Sequence, residues 1–392
     1  MKLIITKVEQ GIGLFGFREN SLVEANIYNT EQTVCVGDIY VGIIDKILPN
    51  MDACFVKIGS KDNNVFLPDA EIKKRHKAGD KIIIQITKEA SKGKQAMGTT
   101  RLSIPGMYCV VTSENFAIEV SAKLHPTKRS YWKNTLKELV HSESLSAETR
   151  KLLSSYCLIA RTNVGEVKEV SEVVSEWTRL AETMNYVLTK GQNQSAFTKL
   201  YELEKKYQKH IMDISYTDIE EIVTDDKAVY MELQDIFTNN PELKNKIRLY
   251  TDEYPLRKVY SIDKKLKEAL EKKVWLRSGG FLMIEPTEAL TVIDVNSGKY
   301  YKKSSPEEYY KKVNEEAAVE IARQIKLRNL SGIIIIDFIN MKSSQNQGEL
   351  LDLLTKLVSE DKIETEVIGM TKLGLVEITR KKIEKPLWEQ MQ

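Results

Sequence analysis

The chain is poor in cysteine and histidine and has no long apolar run, and each scarcity removes a class of protein. Its 392 residues include 4 cysteines and 4 histidines. Cys35, Cys54, Cys109 and Cys157 are widely spaced and form no CxxC pair, so they read as reduced, mostly buried thiols rather than a disulfide framework. The scattered histidines give no zinc-binding pattern. The start, MKLIITKVEQ, carries no apolar segment long enough for a signal peptide, and no stretch approaches a membrane span. A cytoplasmic location is the expectation. Strong net charge is missing too: 58 Lys+Arg against 56 Asp+Glu leave +2, which excludes a wholly basic nucleic-acid coat. There is no internal repeat and no low-complexity linker.

What is present is unevenly placed. Lys73, Lys74, Arg75, Lys77, Lys81, Lys88, Lys92 and Lys94 crowd into residues 72–94, whereas residues 166–182 are rich in glutamate. The basic cluster suits one surface for a polyanion; a solvated lysine face fits the composition equally well. The length predicts two to four compact units, and 42% hydrophobic residues suffice for their cores.

Short strands are expected at Leu3–Ile5, Gly13–Phe17 and Leu22–Ala25, too few to close a core without a later partner. From Val36 to about Leu102, strand runs at Ile39–Leu48, Ala53–Ile58, Val65–Leu67 and Lys81–Thr87 alternate with Gly, Pro and Asn turns. This spacing predicts a small barrel. Residues 106–124 read as strand, then 127–154 and 168–210 as helix, with Trp132, Leu136, Leu139 and Val140 on one face and Val173, Trp177, Leu180 and Met184 on another. From Phe281 onward the pattern is α/β.

Two hydrophobic runs in that last region, Ala289–Ile293 and Ile333–Ile336, each end in an aspartate, Asp294 and Asp337. Between them, Ser304 or Ser305 can cap a helix that Pro306, Glu307 and Glu308 begin favourably. Val313, Ala317, Ile321 and Ile325 give it one apolar stripe. A strand–helix–strand crossover is parallel, so it brings both strand ends to one sheet edge, where ligands of α/β sheets bind. For either aspartate alone, capping a turn is the commoner role. Equivalent placement in one crossover changes that weighting, because two close like charges call for a cation. Asn296 shares the strand face of Asp294, and Asn340 follows Asp337. Hard oxygen ligands of this kind suit Mg²⁺, which polarises phosphate oxygens and acidifies water, so phosphodiester hydrolysis is the expected chemistry.

Phe55 and Phe66 lie in or beside barrel strands, where exposed aromatics stack single-stranded bases and lysines such as Lys92 and Lys94 track the backbone. Their apolar neighbours favour the plainer role of core residues. In Cys157–Gly165 a strand leads into Arg161 and Thr162, a guanidinium fork and a hydroxyl able to hold phosphate; an ordinary surface arginine is the simpler alternative.

Several segments together resemble the ribonuclease E/G family: Leu276–Gly280, Glu288–Ser297, Asn314–Ala318, Glu320–Gln324, Ile336–Met341, Lys246–Thr251 and Leu373–Glu377. The likeness is motif-specific from about residue 240 to 383 and colinear back to Met1. It implies an endoribonuclease that cuts single-stranded RNA with Mg²⁺, or Mn²⁺ in its place, leaving 5′-phosphate and 3′-hydroxyl ends. By resemblance, Asp294 and Asp337 bind the metal and Asn296 orients the site. Phe55, Phe66 and Lys94 match RNA-contacting positions of an S1 barrel, and Gly106, Val110, Arg161 and Thr162 match a pocket sensing a 5′-monophosphate.

The implied fold is multidomain, α/β and α+β. An RNase H-like part (residues 1–34 and 205–262) is split by an S1 barrel of the OB fold (35–105) and a 5′-sensor region (106–204), and a DNase I-like catalytic unit (263–392) follows. Departures from the family pattern are Glu364, where an arginine often helps hold the phosphate, and Asn340 in place of a frequent aspartate. The sequence printed ends before the family's zinc-binding cysteine pair, so no zinc is expected, and a homodimer would form without that link. A non-catalytic RNA-binding protein on the same scaffold is the alternative reading.

Overall fold

The computed structural model describes all residues except 29–33, 49, 60–63, 69–75, 91–93, 203–205, 216, 239 and 299–304. Lys73, Lys74, Arg75 and Lys92 of the basic cluster and the candidate cap Ser304 therefore lie outside the described residues. The chain divides into two compact units, one of residues 1–31 with 218–392 and one of residues 32–217.

The first unit holds two sheets. In one, the N-terminal strands Lys2–Val8, Gly11–Arg18 and Ser21–Tyr28 form an antiparallel meander. Their missing partner is Glu221–Thr224, which pairs in parallel with Lys2–Val8 and in turn with Ile247–Leu249. Ile4, Phe15, Phe17 and Val223 bury one face of this sheet against Leu256, Ile262 and Leu266.

The other sheet has six strands in the order Lys273–Trp275, Phe281–Pro286, Leu290–Asn296, Gly332–Asp337, Leu375–Arg380 and Thr365–Met370. Its two central strands are the parallel pair of the crossover; the flanking pairings are antiparallel. The crossover helix spans Pro306–Leu327, with Ser305 and Glu308 forming a reciprocal capping box. Val313, Ala317, Ile321 and Ile325 are all buried, and with the helix Ser344–Ser359 they cover Ile293, Val295, Ile334 and Ile336 on one sheet face. Alternation then sends Val292, Asp294, Asn296, Ile333, Ile335 and Asp337 to the opposite face, where none is fully buried.

In the second unit, strands Ile39–Leu48, Ala53–Lys57, Asn64–Pro68, Ala96–Thr99 and Lys81–Lys88 pair in that order, and Ile39–Leu48 pairs again with Lys81–Lys88. The result is a closed five-strand barrel, consistent with an S1 or OB-like domain. Gly42 sits on the strand shared by both seams, where a Cβ would meet Val56 Cγ1 at 2.3 Å. Lys199–Tyr201 adds an edge strand, a strand inside the stretch 168–210 that periodicity assigns wholly to helix.

A four-stranded sheet follows, in the order Ile118–Val120, Cys157–Ala160, Cys109–Thr112 and Ser103–Pro105. The helix Val170–Gly191 packs on it through Val173, Trp177, Leu180 and Met184, the face expected from periodicity. The helix Lys206–Asp213 also belongs to this unit, since Asp213 pairs with Arg161 and the Asn163 side chain bonds Met212 O at 3.0 Å. The helix Lys206–Asp213, which the resemblance places with the N-terminal strands, thus belongs to the second unit.

Candidate active site

Asp294 and Asp337 are direct partners in the parallel register of the two central strands. Register partners project from the same sheet face, so the carboxylates stand side by side on the face left open by the helices. Asp337 is exposed and Asp294 half-buried. The Asn296 side-chain amide donates to Asp294 Oδ2 at 2.7 Å and fixes the orientation of that carboxylate. Among the described residues neither carboxylate has a salt-bridge partner. A cleft of about 410 Å³ contains both, with Asn296, Tyr310, Ile339 and Asn340 among its walls. No cluster of three or more His, Cys, Asp or Glu side chains able to hold a metal occurs among the described residues. Two carboxylates still fit Mg²⁺, which usually keeps several waters and takes its remaining ligands from substrate phosphate.

The crossover helix does more than cover the core. Asn314 is fully buried, and its side chain accepts from Ile339 N–H at 3.0 Å while donating to Ile339 O at 2.8 Å. This two-point clamp holds the chain two residues beyond Asp337. Glu316 accepts the N–H groups of Arg277 and Ser278, and the Tyr309 hydroxyl donates to Ser297 O at 2.7 Å. Glu307 accepts from Lys342 N and Ser343 N, hydrogen bonds that hold its carboxyl below the usual range. One helix therefore pins four segments around the aspartates. Sequence reasoning gives none of these residues a supporting role. The available signal was Asn314 itself, a polar residue between the buried stripes of Val313, Ala317 and Ala318.

On the barrel, Phe55 and Phe66 are register partners with ring centroids 5.7 Å apart. Both are half-buried on the outer surface, while their neighbours Cys54, Val56, Val65 and Leu67 fill the interior. The plain reading of both as core residues is thus corrected: strand alternation turns them outward. Pairings extend the row on both sides, Lys46 with Phe55, Phe66 with Met97, and Met97 with Lys88. An aromatic centre flanked by exposed lysines results. Lys94 is exposed two residues before the strand bearing Met97. Lys46 and Met97 escaped the sequence reading, because closing a barrel aligns residues from distant strands.

Arg161 and Gly106 are also brought together. The Arg161 Nη1 donates to Gly106 O at 2.6 Å, and its other amino group pairs with Asp213. Val110 lies on the strand Cys109–Thr112, which pairs with the strand leading into Arg161; the Thr162 hydroxyl lies 3.1 Å from Ser121 Oγ. Glu176, unmarked by the sequence reading, accepts the N–H groups of Met107, Tyr108 and Cys109 at 2.7, 2.7 and 2.9 Å. Burial pushes its carboxyl above the ordinary value, with those three donors opposing. A Cβ on Gly106 would lie 2.5–2.7 Å from that carboxylate, so glycine is required for Glu176 to approach. Glu364 is exposed and pairs with Lys381 at 3.5 Å.

The profile of the Ribonuclease E/G family matches residues 103–383. The chain is 32% identical to Ribonuclease G of Haemophilus influenzae over 93% of its length and 76% of that protein's. It is 30% identical to Ribonuclease G of Escherichia coli K12 over 92% and 76%. Against Ribonuclease E of Synechocystis it is 30% identical over 90% of its length but spans only 53% of that relative. No helix among the described residues is long and apolar enough to cross a membrane. Matched along most of its length, the chain belongs to the ribonuclease E/G family and is an endoribonuclease of that family.

Proposed function

We propose that this endoribonuclease hydrolyses single-stranded RNA with Mg²⁺ at Asp294 and Asp337, leaving 5′-phosphate and 3′-hydroxyl ends. The observation that carries the reading is the register pairing of two carboxylates on an open sheet face, without a neutralising cation among the described residues. Such a pair is electrostatically unfavourable until a cation joins it. Asp294 and Asp337 would hold Mg²⁺, with Mn²⁺ as a substitute, and Asn296 would keep Asp294 turned toward it. When bound, the ion supplies charge neutralisation and acidified water. Hydrolysis then forms a bond from water oxygen to phosphorus and breaks the bond to the 3′ oxygen, which leaves protonated.

The outer barrel row of Lys46, Phe55, Phe66, Met97 and Lys88, with Lys94, serves capture. Aromatic rings stack bases without regard to sequence and lysines follow phosphates. Gly106, Val110, Arg161 and Thr162 form the 5′-end pocket, in which a phosphate shares Arg161 with Asp213. In this reading the six-stranded sheet is the DNase I-like unit, and the N-terminal strands with Glu221–Thr224 and Ile247–Leu249 are the RNase H-like part.

The test is cleavage of a fluorescent single-stranded RNA with Mg²⁺ or EDTA by wild type, Asp294→Asn and Asp337→Asn. Each substitution is expected to lower kcat by about 10³-fold, as loss of about 4 kcal/mol of transition-state stabilisation predicts. Undiminished cleavage by both variants overturns the assignment. Comparing 5′-monophosphate with 5′-hydroxyl substrates tests the pocket separately, and equal rates would remove that role from Arg161.

A further inference from the structure

The open face of the six-stranded sheet does not end at the carboxylates. Its register can be followed across three strands toward the edge. Asn296 pairs with Phe281, and Phe281 pairs with Trp275. One pleat away, Asp294 pairs with Met283 and Met283 with Lys273. Cross-strand partners share a face, so Trp275, Phe281 and Lys273 stand on the same surface as Asp294, Asn296 and Asp337. Two strand spacings, roughly 10 Å, separate Trp275 from Asn296.

This edge is unusual in composition. Trp275 is 65% exposed although it is the largest side chain type available. Its ring meets Phe281 edge-on, with centroids 5.4 Å apart. The Lys273 ammonium lies 3.9 Å from both ring centroids. A strand edge needs only a charge to discourage pairing with another sheet; it does not need a tryptophan held in water by a cation and a second ring. That arrangement costs hydrophobic exposure and holds the indole in one pose, with much of its surface still free. An ordered, exposed aromatic beside a cation is the chemistry that binds a nucleobase and its neighbouring phosphate.

We propose that Trp275, supported by Phe281 and Lys273, is a base-stacking subsite for a substrate nucleotide close to the scissile phosphate. This inference rests on the assignment of Asp294 and Asp337 as the cleavage site. The occupant is a base of single-stranded RNA, because the row is continuous with the carboxylates and carries positive charge at its outer end. The barrel row binds RNA for capture. Trp275 sets which internucleotide bond lies over the carboxylates.

The experiment uses single-stranded oligoribonucleotides with one preferred cleavage position, each carrying a single abasic nucleotide at a different place. Wild type, Trp275→Ala, Trp275→Phe and Asp337→Asn are compared with Mg²⁺. For wild type, one abasic position near the cut is expected to lower kcat/KM about tenfold, the typical worth of one stacked base. Trp275→Ala is expected to lose about tenfold on intact RNA, to suffer no further loss from that abasic position, and to cut at displaced bonds. Trp275→Phe should restore most of the rate. If Trp275→Ala still shows the full abasic penalty, or cleaves intact RNA as fast as wild type, the subsite is overturned. A loss independent of base position, with a changed elution volume, would instead make this face a contact between copies and also overturn it. Undiminished cleavage by Asp337→Asn with the abasic pattern intact would break the carboxylate assignment alone.

Discussion

The carboxylate pair and the aromatic row of the barrel are built by the same device, register pairing across adjacent strands, yet they differ in how they are supported. Asp294 and Asp337 are register partners on two parallel strands joined by one helix, and that helix clamps the surrounding segments through Asn314, Glu316, Tyr309 and Glu307. Phe55 and Phe66 face each other across two antiparallel strands, and among the described residues no single helix clamps the segments around them in this way. Hydrolysis needs groups held within a fraction of an ångström, whereas stacking tolerates sliding along a strand. The difference is the one the proposed roles require, chemistry at the carboxylates and capture on the barrel.

That contrast can be broken experimentally. After the aspartates, the largest effect is expected from Asn314→Ala, which leaves the Ile339 N–H and C=O without their clamp. A 10–100-fold fall in kcat is expected, with RNA binding in EDTA preserved, as for loss of an outer support at a metal site. A fall in binding instead would merge the two regions functionally. Next, Phe55→Ala or Phe66→Ala should raise KM about tenfold and leave kcat within about twofold, since each ring contributes one stack. An equal loss in kcat would place these rings at the chemistry. Lys88→Ala should reduce the slope of log affinity against log salt by about 0.7, one phosphate contact on a single strand, while kcat is unchanged.

The smallest effect concerns stability. The Glu176 carboxyl is raised above its ordinary 4.5 by burial, so the folded state holds its proton more tightly than the unfolded chain. Its contribution is fully present below pH about 4.5 and is lost as pH rises through the higher folded value. Urea midpoints of wild type should therefore decline over that window relative to Glu176→Gln. A wild-type profile parallel to that of the variant would show that Glu176 titrates normally.

Legibility in sequence followed locality. The crossover was readable because helix caps, the four-residue stripe and the β-branched run all act within a few residues, and each hydrophobic run was followed by its own aspartate, although the first strand continues past Asp294 to Asn296. The barrel's outline was readable for the same reason, but the side taken by Phe55 and Phe66 was not. A run such as Ala53-Cys54-Phe55-Val56 is apolar on both faces, and only closure decides which face is inside. Asn314 was invisible as a clamp because its partner peptide lies on another strand. Glu176 looked like one more residue of an acidic helix until three backbone N–H groups converged on it.

By itself the sequence determined the local elements, the parallel crossover and the placement of two carboxylates toward one sheet edge, because these follow from short-range periodicity and from the geometry any strand–helix–strand unit must adopt. Tertiary structure alone decided the rest: the partner of the N-terminal strands, the register of Asp294 with Asp337, the outward turn of the phenylalanines, the alignment of Trp275 with the face that carries the two aspartates, and the pairing of Arg161 with Asp213. Each of these joins residues far apart in the chain, and long-range register is set by the closing of sheets and cores as a whole rather than by any segment's own preference.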